Sequence, residues 1–322
     1  MWVVESDGSI GRYDVATGRR QQRLPAQRSG ASSLCLELSP DGALLATPTG
    51  PPNWEFPFPV WDTQTGMVAF VARGGQEWTG SFSVDWDGSG ERLAVSVTYD
   101  RPGGAESHVR ILDRTGAEVG RISGEPRVVI PYLDFRNDGD LVATTATPPR
   151  DDPDRRKIRL WDWRRDRLVR RIGGNTNGVE FDSSGALLAS TRLTQGVVDV
   201  WDSGTGSRVS TLEGHTGIVR DLAYDADGER LATASDDGSV RVWDPRAGKL
   251  QVTLRLAVPL GASTVEFSPD GKRLVTTWAD GVTRVWTLDL DELVDLAGER
   301  VTRGLTTAEC QQYLHTDSCP GA

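Results

Sequence analysis

The side chains best suited to catalysis or metal binding are few in this chain. Its 322 residues include three histidines, His108, His215 and His315, and three cysteines, Cys35, Cys310 and Cys319. Cys310, His315 and Cys319 are spaced C-x4-H-x3-C and offer three zinc donors, whereas structural zinc takes four. Free thiols in a docked tail are the expected reading, with a Cys310–Cys319 disulfide as the alternative; no metal and no cofactor are expected. Cys35 falls in an apolar strand and reads as core. There is no Gly-x4-Gly-Lys-Ser/Thr phosphate loop, no His-Glu-x-x-His and no Gly-x-Ser-x-Gly. With histidines this scattered, a catalytic triad has little to draw on. Asp134, Glu180 and Asp221 could supply acid–base chemistry in an enclosed opening, yet in sequence they are dispersed without a motif.

Composition narrows the classes further. The chain carries 36 basic and 46 acidic side chains, a net charge of −10, so a polyanion would meet repulsion over most of its surface. Nucleic acid is therefore not an expected partner. No apolar run reaches the ~18 residues of a membrane span, and Met1 to Ser9 carry Glu5 and Asp7 where a signal peptide would be basic and then apolar. A cytoplasmic protein without membrane attachment is expected. A hydrophobic fraction of 37% is enough to build a core.

What must position any functional side chain is a repeat. Trp-Asp pairs stand at 61–62, 161–162, 201–202 and 243–244, with Tyr13-Asp14, Leu112-Asp113 and Trp286-Thr287 in the same place in weaker copies. The copies lie 48, 51, 49, 40, 42 and 43 residues apart, near the ~40–45 of a four-stranded propeller blade. A second marker keeps phase with the first: Ser39-Pro40-Asp41-Gly42 and Ser268-Pro269-Asp270-Gly271, with degenerate forms ending at Gly88, Gly139, Gly185 and Gly228. Each is a tight-turn signal between two apolar runs, here strands a and b. Strand c ends in the Trp-Asp pair, and strand d follows a second turn such as Thr63-Gln64-Thr65-Gly66. The unit is a four-stranded antiparallel meander.

Seven copies in fixed phase resemble the WD-repeat β-propeller family over residues 1–288. The expected fold is all-β, a seven-bladed WD-repeat propeller with a short C-terminal α-helical tail, 289–322. Physically, a closed ring buries both faces of each blade against its neighbours. The copy from Gly214-His215 to Trp243-Asp244 also carries the family's Gly-His. The resemblance implies a structural hydrogen-bond chain there: His215, Asp237, a strand b hydroxyl from Thr233 or Ser235, and Trp243.

The first copy begins at strand b and the last ends at strand c, so the first and last blades are incomplete. One upstream segment supplying strands d and a would repair both, which suggests the C-terminal part of a longer product or a start placed too late. The open seam could also support self-association. Beyond Trp286, Leu290, Leu293, Val294, Ala297 and Val301 recur at helical spacing, which predicts a helix from near Asp289 to Val301. The capping box Thr306 to Glu309 predicts a second helix from Thr307. This tail resembles the C-terminal end of large bacterial multidomain signalling proteins.

Loop lengths point to a partner-binding face. From strand b to strand c the chain spends 16, 19 and 19 residues in copies two to four, against 12 or 13 in copies five to seven. The excess gathers on one face of the disc, where binding tends to reside. The first loop sets Trp54, Glu55, Phe56 and Phe58 between prolines, suited to rigid apolar anchors. The second holds Tyr99, Arg101 and His108, and the third Arg150, Asp151, Asp152 and Arg155; these form the polar rim of the expected site. Residues 150–171 hold ten basic side chains against five acidic ones, which reads as a solvated outer blade edge. The expected function is a non-catalytic protein- or peptide-binding scaffold or sensor in a larger signalling protein. The alternatives are a small-molecule-binding or enzymatic propeller using the central opening, and the remnant of a truncated gene.

Overall fold

A computed structural model describes residues 1–5, 9–15, 17–25, 36–47, 58–72, 78–80, 83–101, 104–124, 128–146, 157–173, 176–192, 194–256, 260–289 and 291–294. They form seven antiparallel sheets, the blades of a propeller. Blade 1 contains β1 (Trp2–Val4), β2 (Ile10–Tyr13) and β3 (Arg20–Leu24); blade 2 contains β4 (Glu37–Leu38), β5 (Leu44–Ala46), β6 (Phe58–Asp62) and β7 (Val68–Ala72). Blade 3 is built from β8 (Trp78–Gly80), β9 (Val84–Trp86), β10 (Arg92–Arg101), β11 (Gly104–Asp113) and β12 (Glu118–Ile122). In blade 4 the strands are β13 (Leu133–Phe135), β14 (Leu141–Thr144), β15 (Ile158–Asp162) and β16 (Arg167–Ile172). Blade 5 comprises β17 (Thr176–Phe181), β18 (Leu187–Arg192), β19 (Val197–Asp202) and β20 (Arg208–Glu213). Blade 6 comprises β21 (Val219–Tyr224), β22 (Leu231–Ser235), β23 (Ser239–Asp244) and β24 (Lys249–Arg255), and blade 7 β25 (Ala262–Phe267), β26 (Arg273–Trp278) and β27 (Thr283–Thr287). Among the described residues, blades 1 and 7 are three-stranded, lacking strand a and strand d respectively.

Burial follows strand position. All five residues of β22 are buried, because strand b lies between neighbouring blades on both faces. Strand d is the outermost and alternates, as in β16 with Val169 exposed and Ile172 buried. Apolar clusters fill the gaps between blades; one joins Phe58, Val60 and Phe70 of blade 2 to Trp86, Leu93 and Val95 of blade 3.

The two halves of the Trp-Asp pair do separate work. The indole N–H donates to a strand b hydroxyl in five blades: Trp61 to Thr47, Trp161 to Thr144, Trp201 to Ser190, Trp243 to Thr233 and Trp286 to Thr276, at 2.9 to 3.1 Å. The aspartate builds the following turn. Asp202 Oδ1 accepts from the Thr205 amide at 2.7 Å and the Thr205 hydroxyl at 2.8 Å, and Asp62 does the same with Thr65. In blade 1 the tryptophan is replaced by Tyr13, whose hydroxyl donates to Glu5 at 2.7 Å.

In the turn between strands a and b, Asp41 Oδ1 accepts from the Ser39 hydroxyl at 2.6 Å and the Ala43 amide at 3.0 Å. Those bonds and Arg114 hold its carboxyl down at about 2. Gly42 closes the turn at φ 70°, a backbone region that favours glycine. In blade 3 the closing residue is Gly90, at φ 69°, rather than Gly88; the turn is Asp87-Gly88-Ser89-Gly90, with the Gly90 amide donating to Asp87 O at 2.8 Å.

After β27, Asp289 caps a helical turn over 291–294, accepting from the Asp291 and Glu292 amides at 3.0 and 3.2 Å. The turn is pinned to blade 7 by Lys272–Asp289 and Arg273–Glu292 ion pairs, each 2.7 Å. The remainder of the expected helix, the second helix and Cys310, His315 and Cys319 lie outside the described residues, as does Cys35.

Candidate binding surfaces

Of the three long b-to-c segments, the one in blade 3 falls mostly within the described residues. Trp54, Glu55, Phe56, Arg150, Asp151, Asp152 and Arg155 lie outside the described residues. The blade 3 segment is not a loop. β10 and β11 continue as a two-stranded ribbon of ten residues each, in register from Arg92↔Asp113 to Arg101↔Gly104. Alternating side chains sustain the pairing, and β8 pairs against Thr98 and Tyr99. Arg101 belongs to the ribbon's end. Tyr99 packs partly buried on the blade 2–3 core and meets His108 edge-on at 5.5 Å. His108 also lies 3.3 Å from Glu106.

Phe58 requires a correction. It is the first residue of β6, is 1% exposed and sits in the core between blades 2 and 3, so it is not a surface anchor. Strand c begins two residues before Val60, and the pleat turns Phe58 to the same buried side as Val60.

The described arginines of 157–171 are mostly engaged locally. Arg164 pairs with Asp140 at 2.7 Å and stacks on Trp163, Arg165 pairs with Asp162 at 2.6 Å, and Arg170 donates to the Gly204 and Thr205 carbonyls of blade 5 at 2.8 Å. Arg159 is buried and donates to Lys157 O at 3.1 Å.

In blade 6, His215 Nδ1 lies 2.9 Å from Asp237 Oδ2, and His215 Nε2 lies 2.7 Å from Thr233 Oγ1. Thr233 Oγ1 also accepts from the Trp243 indole at 2.9 Å. The chain closes when Nδ1 carries the imidazole proton, which then donates to Asp237 while Nε2 accepts from Thr233. Burial lowers the pKa of His215 against the pull of Asp237. Burial pushes Asp237 upward, but bonds from Ser239, His215 and the Thr216 amide hold it at about 2. Ser235 stands one step aside, accepting from the Asp237 amide at 3.2 Å.

The central channel carries a feature that is dispersed in the sequence. Strand a of each blade touches strand a of the next from blade 2 to blade 7. On these strands stand Glu37, Asp85, Asp134, Glu180, Asp221 and Glu266. Asp85 accepts from the Phe135 amide at 2.6 Å, Asp134 from Phe181 at 2.6 Å, Glu180 from Tyr224 at 2.9 Å and Asp221 from Val265 at 3.0 Å. Each carboxyl therefore reaches from its own blade to the backbone of the next. Glu266 is exposed, whereas the other five are half-buried, and their partial removal from water raises their pKa: Asp221 to about 6, Asp85 to about 7, and Glu37, Asp134 and Glu180 well above the ordinary range. The neighbouring acids of the ring push Glu37, Asp134 and Glu180 further the same way.

Asp134, Glu180 and Asp221, scattered along the chain, are thus neighbours in space. Glu37, Asp85 and Glu266 were missed by sequence reasoning. The signal was available: Glu37, Asp85, Asp134, Glu180 and Glu266 each precede the turn glycines 42, 90, 139, 185 and 271 by five residues. Blade 6 has Ala223 at that position and its acid, Asp221, two residues earlier on the same face of the strand.

Residues 206–244 and 259–287 match the family described as WD domain, G-beta repeat. The first segment runs from strand d of blade 5 through strand c of blade 6, and the second covers the three strands of blade 7. Retinoblastoma-binding-like protein E of Dictyostelium discoideum is 37% identical over 86 residues, 26% of this chain and 16% of that protein. Eukaryotic translation initiation factor 3 subunit I of Saccharomyces cerevisiae is 36% identical over 91 residues, 28% of this chain and 25% of its own length. Nuclear distribution protein PAC1 of Trichophyton verrucosum is 34% identical over 99 residues, covering 27% and 21%. The matched segments span a quarter or less of these relatives. Among the described residues, no helix is long and apolar enough to cross a membrane.

Proposed function

We propose that this propeller is a non-catalytic scaffold that docks a protein or peptide on the face of its b-to-c connections. The observation that carries the reading is the blade 3 ribbon, two ten-residue strands on a disc whose blade 6 counterparts, β22 and β23, have five and six. A paired ribbon presents side chains at little entropic cost on binding. In this reading Trp54 and Phe56 are apolar anchors; Glu55, Tyr99, Arg101, Arg150, Asp151, Asp152 and Arg155 form the rim. The relative that is a subunit of a translation initiation factor supports a place within an assembly. The finer setting belongs to the same proposal: a docking or sensing part of a larger bacterial signalling protein in the cytoplasm, with 1–288 as the propeller and 289–322 as a helical tail.

The test is cross-linking and affinity capture from the native cells, comparing the full chain with a variant whose ribbon is cut back to the length of the β22–β23 connection. Loss of a reproducible partner with an unchanged circular dichroism spectrum is expected. Equal capture by both proteins overturns the assignment of this face.

A further inference from the structure

One position of the repeat carries a charge in five successive blades. Two residues before the Trp-Asp position of strand c stand Arg110, Arg159, Asp199, Arg241 and Arg284, in blades 3 to 7. Four of the five are met within the protein. Arg110 pairs with Glu118 at 2.6 Å, Asp199 with Arg192 at 2.7 Å and Arg284 with Asp280 at 2.6 Å, and Arg159 donates to Lys157 O at 3.1 Å. Arg241 is only 8% exposed, yet among the described residues its guanidinium makes no hydrogen bond and no ion pair, and its Nε is buried without a partner. A cation this far from water is ordinarily paired.

The cause is local. Blades 6 and 7 both carry an aspartate four residues before the arginine, in the turn from strand b to strand c. In blade 7 Asp280 takes the fork of Arg284, whose Nη2 and Nη1 donate to its two oxygens at 2.6 and 3.1 Å. In blade 6 the matching Asp237 is already committed. It lies 2.9 Å from His215 Nδ1 and accepts from the Ser239 hydroxyl at 2.6 Å and the Thr216 amide at 3.0 Å. Blade 7 carries Val258 in place of that histidine. Asp236, next in line, is held by Arg220 at 2.6 and 2.8 Å. The hydrogen-bond chain that fixes blade 6 thus leaves its arginine without a carboxylate.

The guanidinium can be reached from outside. It lies 5.8 Å from the centre of the Trp243 ring and directly beneath Gly214, where any side chain would run into Nη1. Gly214 is exposed and lies in the connection from β20 to β21, on the same face as the b-to-c connections. Nε is sealed from the surface, whereas the two Nη atoms are not. Exposed Arg255, opposite Ser239 in the pairing of β23 with β24, adds a second positive charge close enough to oppose that of Arg241.

We propose that Arg241, seconded by Arg255, receives a carboxylate side chain of a docked acidic peptide, which takes the place that Asp280 fills in blade 7. Blade 7 specifies a carboxylate, because there the same guanidinium at the same strand position is completed by a single aspartate. A planar fork donating two parallel N–H groups suits that geometry. The inference names the chemistry of the partner and rests on the reading of the b-to-c face as the docking surface.

The experiment is fluorescence anisotropy of the full chain with a labelled, end-blocked peptide of alternating glutamate and glycine, beside its glutamine and phosphoserine counterparts. The glutamate peptide should bind, and the glutamine peptide at least about tenfold more weakly. Arg241→Met keeps an apolar stem and should weaken binding at least about tenfold, and Arg255→Gln about twofold to fivefold. Arg284→Met, whose carboxylate is internal, should leave binding unchanged. Because it removes an unpaired buried cation, Arg241→Met should melt no lower than the unaltered chain, whereas Arg284→Met should melt lower. Arg255→Gln alters an exposed side chain and carries the test on its own if Arg241→Met fails to fold. No binding of the glutamate peptide at about 1 mM, equal binding of the glutamine peptide, or binding unchanged in both Arg241→Met and Arg255→Gln overturns the proposal. Binding of the phosphoserine peptide in place of the glutamate one does so too. Partner capture that needs the ribbon but not Arg241 removes this inference alone, and peptide binding that needs Arg241 beside capture indifferent to the ribbon removes the ribbon's role alone.

Discussion

Asp134 of blade 4 accepts a 2.6 Å hydrogen bond from the backbone amide of Phe181 in blade 5. The bond ties two repeats at the channel wall, where no strand pairing joins them. Asp134→Ala leaves that amide unpaired and should cost about 1–3 kcal/mol, while Asp134→Asn keeps an acceptor oxygen and should cost under about 1 kcal/mol. Urea denaturation of both variants at neutral pH checks the difference.

Stability should fall as pH rises from about 5 to about 8.5. The half-buried ring acids have folded pKa values above their unfolded ones, with Asp221 at about 6 and Asp85 at about 7. Over that window the folded state binds more protons than the unfolded state, so each rise in pH favours unfolding. Melting temperature against pH reads the slope, which Asp221→Asn with Asp85→Asn should flatten. A slope unchanged in the double variant would place its origin elsewhere.

The hydroxyl of Thr233 serves both His215 and Trp243, whereas that of Ser190 serves Trp201. Thr233→Val should therefore destabilise by more than Ser190→Ala, about 2–4 against about 1–2 kcal/mol. Parallel denaturant titrations of the two variants measure the gap.

Phe58 and the aromatic residues that precede it in sequence should separate cleanly. Phe58→Ala opens a cavity between blades 2 and 3 and should cost about 3–5 kcal/mol. Trp54→Ala with Phe56→Ala should leave the melting temperature nearly unchanged and remove partner capture. Thermal melting and affinity capture on the same preparations decide both.

The fold was legible because its markers are chemical necessities. A tryptophan that gives its indole proton to a strand b hydroxyl recurs in five blades, and an aspartate placed to seat the next turn in six. Lengths were less informative than markers. The excess residues after Leu93 read as a loop, but their alternation let them continue the pairing of β10 with β11. Phe58 was assigned to the loop by its flanking prolines, although Pro59 sits within β6, paired with Val71. The carboxyl ring escaped notice because its members are one per blade, and blade 6 shifts its acid by one pleat. Alignment to the turn glycine, not local composition, brings them together.

The joints between blades 3 to 7 all point the same way: a repeat offers its acid forward and its amide backward. A segment copied from strand a through strand d therefore travels with half of each joint it will need. Duplication or loss of such a segment leaves the remaining joints chemically matched, so the lineage can change its number of repeats without inventing new contacts. Whatever the ring encloses would meet one more or one fewer carboxyl each time.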